Sequence, residues 1–172
     1  MKNGVVIREK ALLWAILIMI LSVFGACQKE GGLDEEGMID LKDIPENPEY
    51  ANLSLIGTTW KLIGFGNEST GKLKPAEPED CEKCYKISFN DNGEIWGQSI
   101  VNFVNGSFSF EQNTDRVFKE FSFGQMTYAG EFHDGGLFID AMKGVSKYDI
   151  TTRGLLLYYS SREYLLFEPK LE

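Results

Sequence analysis

Residues 85–98 read Tyr85-Lys86-Ile87-Ser88-Phe89-Asn90-Asp91-Asn92-Gly93-Glu94-Ile95-Trp96-Gly97-Gln98. Tyr85, Ile87 and Phe89 alternate with Lys86 and Ser88, the two-residue period of a strand with one face buried. Asn90 to Gly93 are turn formers, and Asn and Gly tolerate the positive φ that a tight hairpin demands. Glu94 to Gln98 returns as a second strand, with Ile95 and Trp96 as its large residues. The Asn90-Asp91-Asn92-Gly93 run lacks the alternating acids and distal glutamate of a calcium loop, so it reads as a hairpin turn.

The same grammar extends in both directions. Downstream, Asn105-Gly106 is a second hairpin signal, and Phe108 and Phe110 alternate with Ser107 and Ser109 after it. Gln112 to Arg116 reads as a turn. Val117 to Phe123 reads as a strand with Val117, Phe121 and Phe123 on one face. Gly124 to His133 is a glycine-punctuated connection. Asp134 is placed to cap a short helix near residues 135–146, where Leu137, Ala141 and Val145 recur at fours with Phe138 and Met142 beside them. The Leu137-Ile139-Ala141 alternation would also suit a strand. Leu155 to Tyr159 and Tyr164 to Phe167 flank Ser160–Glu163 as a hairpin. Upstream, Leu55 to Phe65 gives a turn and then a strand in which Trp60 and Leu62 share a face, followed by a long polar loop from Gly66 to Cys81. Many short strands between turns, one late helix and no βαβ alternation predict a mainly β fold. The expected architecture is an antiparallel meander forming a small lipocalin-like barrel or sandwich. Twelve Phe and seven Tyr supply a core. The same residues could line a cavity, so a carrier of a small apolar ligand is the alternative to a filled interior.

The ordered motifs resemble the META domain, the family of the HslJ heat-shock lipoprotein. The resemblance rests on Leu55-x-Gly57-x-x-Trp60-x-Leu62, on the Gly97, Asn102, Gly106 spacing, on Val145-x-x-Tyr148-x-Ile150, and on the closing Gly154-Leu155-Leu156-Leu157 and Leu165-Leu166-Phe167. It spans about residues 54–169. Val101 stands where the family often has a cysteine. The resemblance implies a compact HslJ-like β fold with a helix, structural roles for Gly57, Trp60, Gly97, Asn102 and Gly106, no established catalytic activity, and a loose link to envelope stress.

The N-terminus carries an address. Lys2, Arg8 and Lys10 precede an apolar run from Ala11 to about Phe24, and Gly25-Ala26-Cys27 follows. The run suits a signal-peptide core, which needs ~7–15 apolar residues, better than a membrane span, which needs ~20. Phe24-Gly25-Ala26-Cys27 resembles a bacterial lipobox, with Phe24 in place of the usual Leu. The resemblance implies cleavage before Cys27 and attachment of lipid, palmitate included, to its thiol. The expected organisation is a signal peptide over 1–26, a flexible acidic tether over 27–53 and a β domain over 54–170. The tether holds Gly31-Gly32, Asp34-Glu35-Glu36, Pro45 and Pro48, with no apolar period to offset its ordering entropy. Gln28 is not the aspartate of an inner-membrane retention signal. The expected location is therefore the outer membrane of a Gram-negative bacterium, facing the periplasm or the cell surface.

Charge narrows the partners. The first 26 residues are net +2, so the remainder carries −11 against −9 for the whole chain. Such a surface repels phosphate backbones, and no nucleic-acid partner is expected. The membrane, reached through a lipidated Cys27, is the expected partner, and a protein partner would be of unknown kind. No catalytic set, metal site or cofactor emerges. Cys81-Glu82-Lys83-Cys84 lies in an acidic loop that would raise a thiol pKa, the wrong direction for a redox catalyst. Outside the cytoplasm it reads as a disulfide candidate, with free thiols as the alternative. Zinc needs four ligands, and the remaining thiol is Cys27 while His133 is the sole histidine. His133-Asp134 lacks a serine in a nucleophile elbow and reads as a loop histidine followed by a cap. The expected function is that of a membrane-anchored, non-enzymatic envelope lipoprotein with a protein-interaction or envelope-stress role.

Overall fold

The computed structural model describes residues 37–112, 114 and 116–170, all within the unit 34–172. The signal segment, Cys27 and the Asp34-Glu35-Glu36 cluster lie outside the described residues. The strands are β1 (Ile39–Asp40), β2 (Thr59–Asn67), β3 (Lys72–Pro75), β4 (Lys86–Phe89), β5 (Glu94–Gln98), β6 (Phe103–Phe110) and β7 (Phe118–Gln125). Helix α1 (Gly135–Lys143) follows, then β8 (Lys147–Thr151), β9 (Gly154–Tyr158) and β10 (Glu163–Lys170).

The strands form one ten-stranded sheet in the order β7-β6-β5-β4-β2-β10-β9-β8, with β3 laid beside β2 and β1 beside β3. Every paired ladder is antiparallel. The sheet curls until its end strands meet at one antiparallel bridge, Val117–Lys147. Two bonds flank it: Phe118 N–H to the Ser146 carbonyl and Tyr148 N–H to the Arg116 carbonyl, each 2.9 Å. No ladder continues from there, so the sheet is an open barrel. The mainly β, antiparallel expectation is what the structure shows, with one α-helix among the described residues.

The inner face is filled. Leu165 on β10 lies between Phe65 and Leu157 on its neighbours, and all three are buried with Trp60, Leu62, Ile87, Phe89, Ile95, Val104 and Phe167. Phe118 stacks on Phe110 and Phe89, and Phe108 meets Phe89 edge-on. The structure corrects the face expected for β7. Phe118, not Val117, enters the core, because a bulge between Ser109 and Phe110 shifts the register by one, and a one-residue shift exchanges faces.

Asn105-Gly106 is corrected as well. It lies inside β6, and the β5–β6 turn is Ser99–Asn102, closed by Ser99 N–H to the Asn102 carbonyl at 2.9 Å. Gly106 is there because the sheet leaves no space: a Cβ on it would overlap the Ser122 carbonyl, as one on Gly97 would overlap that of Lys86. Helix α1 spans nine residues and ends before residue 146. It buries Phe138, Ile139, Ala141 and Met142 and leaves Leu137 exposed. Phe138 packs edge-on against Tyr85 and Phe123.

The largest correction concerns the tether. Residues 39–52 are built into the fold as β1 and two 3-10 turns, Leu41–Asp43 and Pro48–Asn52. Ile44 packs on the outer face of the sheet with Leu73, Leu156, Tyr158, Tyr164 and Leu166. Backbone bonds from Leu41 N–H to the Gly71 carbonyl (2.8 Å) and from Asn47 N–H to the Thr152 carbonyl (2.7 Å) fix this cover. The reason lies in β9 and β10. Leu155-Leu156-Leu157-Tyr158 and Tyr164-Leu165-Leu166-Phe167 are apolar on both faces, so both faces need shelter. Residues 39–52 and β3, the latter a strand inside the expected loop 66–81, provide it.

Candidate functional site

Strand register places several loops at one end of the sheet. Strand β3 runs toward Pro75 and into the loop 76–85. Tyr85 N–H bonds the Ser99 carbonyl at 3.2 Å, which brings in the β5–β6 turn. The β7–α1 connection joins them through Glu77 N–H, which bonds Asp134 Oδ2 at 2.9 Å. Strand β1 runs antiparallel to β3, with Ile39 opposite Leu73 and Asp40 opposite Lys72. Gly37 and Met38 therefore lie toward Pro75, at this same loop end.

Asn102 is the hub of that end and is 0% exposed. Its Nδ2 donates to the Ala129 carbonyl (2.8 Å) and to Glu131 Oε1 (2.7 Å). Its Oδ1 accepts from the Thr127 hydroxyl (2.8 Å) and from Ala129 N–H (2.9 Å). All four bonding positions of the amide are used. Glu131 Oε1 also accepts from the Ser99 hydroxyl and from Gln125 Nε2. Glu131 Oε2 is buried without a hydrogen-bond partner among the described residues, beside Gly135, where a Cβ would overlap it.

The neighbours of these hydrogen-bonded polar residues are exposed, and five of them are apolar. Val101 and Phe103 flank Asn102, Met126 and Tyr128 flank Thr127, and Phe132 follows Glu131. All five are exposed, Phe103 and Phe132 at 62% and Tyr128 at 88%. Met126 N–H bonds the Phe103 carbonyl at 2.8 Å, which draws the two segments into one rim. Single exposed apolar residues are ordinary, whereas a group held together by a buried network is a candidate contact surface.

A second polar feature lies beside the rim. Lys61 on β2 is 8% exposed, and its Nζ donates to the carbonyls of Cys81 (2.7 Å) and Cys84 (2.5 Å). Burial, followed by the positive charges of Lys170 and Lys86, pushes its pKa down to about 8. Cys81 and Cys84 are joined by a disulfide with their Cα atoms 5.4 Å apart. The ammonium thus clamps the turn that the disulfide closes. Lys61 lines an open groove of about 440 Å3 with Leu62, Pro75, Ala76 and Glu79.

Asp134 does not cap α1 through its side chain. Its carboxylate instead holds Lys74 Nζ, at 2.6 and 2.5 Å, together with Glu77 N–H. A half-buried cation was the stronger claim on it than a cap that nearby backbone could replace. Tyr85 donates from its hydroxyl to the Glu77 carbonyl at 2.6 Å. Burial, then the charges of Asp134 and Glu131, push its pKa well above the usual phenol range. His133 stands at φ 46° with its ring exposed, 3.9 Å from the Glu77 carboxylate. Nothing orients it toward a nucleophile.

The residues of the expected structural motif are dispersed. Gly57 occupies a turn at φ 83°. Trp60 is fully buried, with its indole N–H on the Leu55 carbonyl at 3.2 Å. Gly97 and Gly106 sit inside the curled sheet, and Asn102 alone of the set reaches the loop end. Glu131, Ser99, Thr127, Lys61 and the apolar rim escaped the sequence reading. Apart from Lys61 on β2 and Phe103 at the start of β6, they lie on irregular backbone, where no period marks which way a side chain faces.

Comparison with known proteins gives an address and a fold. No protein-family model matches the chain. A protein of Tannerella forsythia named "Putative lipoprotein" is 24% identical over 162 residues, 92% of this chain and 94% of the relative. Among solved structures, a protein from Burkholderia xenovorans superposes with a TM-score of 0.52 at 19% identity, covering 74% of this chain and 91% of its own. A DUF4847 family protein from Bacteroides vulgatus gives a TM-score of 0.48 at 16% identity, covering 66% of this chain and 92% of its own. The chain is thus similar, over nearly its whole length, to a Gram-negative protein bearing a lipoprotein name.

Proposed function

We propose that this protein is a non-enzymatic lipoprotein of the outer membrane, held there by acyl chains on Cys27, whose β domain acts by presenting a contact surface. The full-length likeness to a protein with a lipoprotein name, read together with Phe24-Gly25-Ala26-Cys27, carries the proposal. The described titratable groups support the non-enzymatic part: His133 is exposed, Cys81 and Cys84 are joined, and Lys61 is engaged by two carbonyls. The buried inner face, occupied by Trp60, Phe65, Phe89 and Phe167, favours surface contact over carriage of a ligand inside. Kinship to the META domain and a part in envelope stress belong to the same proposal, on the motif series alone.

Labelled palmitate and cell fractionation test the anchor. The wild-type chain takes up label, its intact mass shows cleavage before Cys27, and it sediments with outer membrane. Cys27→Ser takes up none and is released from the membrane. Equal labelling of the two chains would refute the anchor.

A further inference from the structure

We propose that the loop-end rim, Val101, Phe103, Met126, Tyr128 and Phe132, rests on the lipid surface to which the chain is anchored, so that the domain is docked and not merely leashed. The inference rests on the lipid anchor and deepens it. Three observations lead to it.

The first is where the chain goes. Antiparallel pairing of Ile39 with Leu73 points Gly37 and Met38 toward the loop end. The ten-residue step from Cys27 to Gly37 spans at most ~35 Å when fully extended. The rim therefore stands at the end toward which Gly37 points, within reach of the acyl chains.

The second is how the rim is held. Asn102 and Glu131 tie the two segments that bear it into one network, and Met126 is bonded to Phe103 through the backbone. A pre-ordered apolar cluster loses little conformational entropy when it is covered. The third is composition. Phe103, Phe132 and Tyr128 are aromatic, and Tyr128, 88% exposed, carries the apolar body and polar tip suited to a membrane–water interface. Glu77, Glu79, Asp80 and Glu82 are exposed in the adjoining loop. They would repel anionic headgroups, so the surface is a zwitterionic one.

The test uses the full lipidated chain in zwitterionic vesicles whose acyl chains carry bromine, a contact quencher of indole. Tyr128→Trp is made in a Trp96→Phe background, which leaves buried Trp60 as the remaining indole of the mature chain. Flotation with vesicles reads the anchor, and quenching reads the rim. The expected result is flotation, a blue shift of the introduced indole and loss of about half of its emission. The quenching is lost when Phe103→Ser and Phe132→Ser are added, and it falls as anionic lipid replaces zwitterionic lipid. Both Phe sites are exposed, so urea midpoints should stay level. Flotation with an unquenched, red-emitting indole would overturn the rim proposal and leave the anchor standing. Absence of flotation would remove the anchor and the rim proposal with it. A dilution-sensitive blue shift without lipid would overturn the proposal in favour of a second copy of the chain.

Discussion

Asn102 shows how much one side chain can hold at this loop end. Its amide satisfies a carbonyl, a carboxylate, a hydroxyl and an N–H at once. Truncation removes four part-buried hydrogen bonds, each worth about 0.5–1.5 kcal/mol. Asn102→Ala should therefore lose about 3 kcal/mol, seen as a lower urea midpoint at unchanged slope, while Tyr128→Ala, exposed nearby, leaves the midpoint in place. Lys61 offers a prediction of the opposite kind, in pH. Its pKa is depressed to about 8 in the folded chain and is ~10.4 in an unfolded one. Between those values the unfolded chain binds the extra proton, so stability rises as pH climbs through 8 toward 10. The penalty is fully present below pH 8. Urea midpoints of the wild type should rise from pH 7.5 to 9.5 relative to those of Lys61→Met. Parallel profiles would show that the ammonium is not desolvated as its burial implies. Readings stop short of pH 10 because burial also raises the phenols of Tyr85, Tyr158 and Tyr159, which add a slope of opposite sign.

Among the elements, the segment Ile39–Asn52 adds stability from outside the inner core. It seals the outer face of β9 and β10 with buried Ile44 and half-buried Leu41 over Leu156, Tyr158, Tyr164 and Leu166, with Ile63 of β2 packed beside them. Ile44→Ala should cost about 2 kcal/mol, the low end for large-to-small core changes because the site lies at the edge of the packing. Amide exchange should show protection beginning at Leu41 and Asn47, whose N–H groups bond the Gly71 and Thr152 carbonyls. Fast exchange across 39–52 would restore the picture of a tether running to the first long strand. The disulfide element is comparable in effect. A loop closed between Cys81 and Cys84 removes little chain entropy, so replacing both by Ser should cost about 2 kcal/mol.

At the scale of the molecule, the curled sheet packs Trp60, Phe65, Phe89 and Phe167 on the inside and, among the described residues, shows an apolar rim at the loop end. A filled inner face predicts that the intact protein takes up no apolar fluorescent probe in a saturable, stoichiometric way. Such uptake, abolished by a bulkier residue at Leu157 on the inner wall, would revive carriage. Charge acts over the whole surface: at −11 beyond the first 26 residues, the protein should pass a nucleic-acid column without retention at low salt.

Much was legible along the chain. Alternation in Tyr85–Phe89 and the turn at Asn90–Gly93 predicted a hairpin, and the structure has it as β4 and β5. The mainly β class and the single late helix follow from the same local rules, because period and turn chemistry are properties of neighbouring residues. The apolar run before Cys27 is likewise a local signal. What the tertiary structure alone decided is everything that depends on a distant partner. Asn105-Gly106 has the composition of a turn yet lies mid-strand, since the lack of space beside Ser122 is a fact about β7. Residues 39–52 look like linker until both faces of β9 and β10 are seen to need cover. Asp134 stands at a helix start yet serves Lys74, which is 60 residues away. The loop-end site belongs to the same class. Asn102 is buried while Tyr128 and Phe132 face outward, and the backbone that carries them has no period to say so. Only the network that closes between those segments sets their direction.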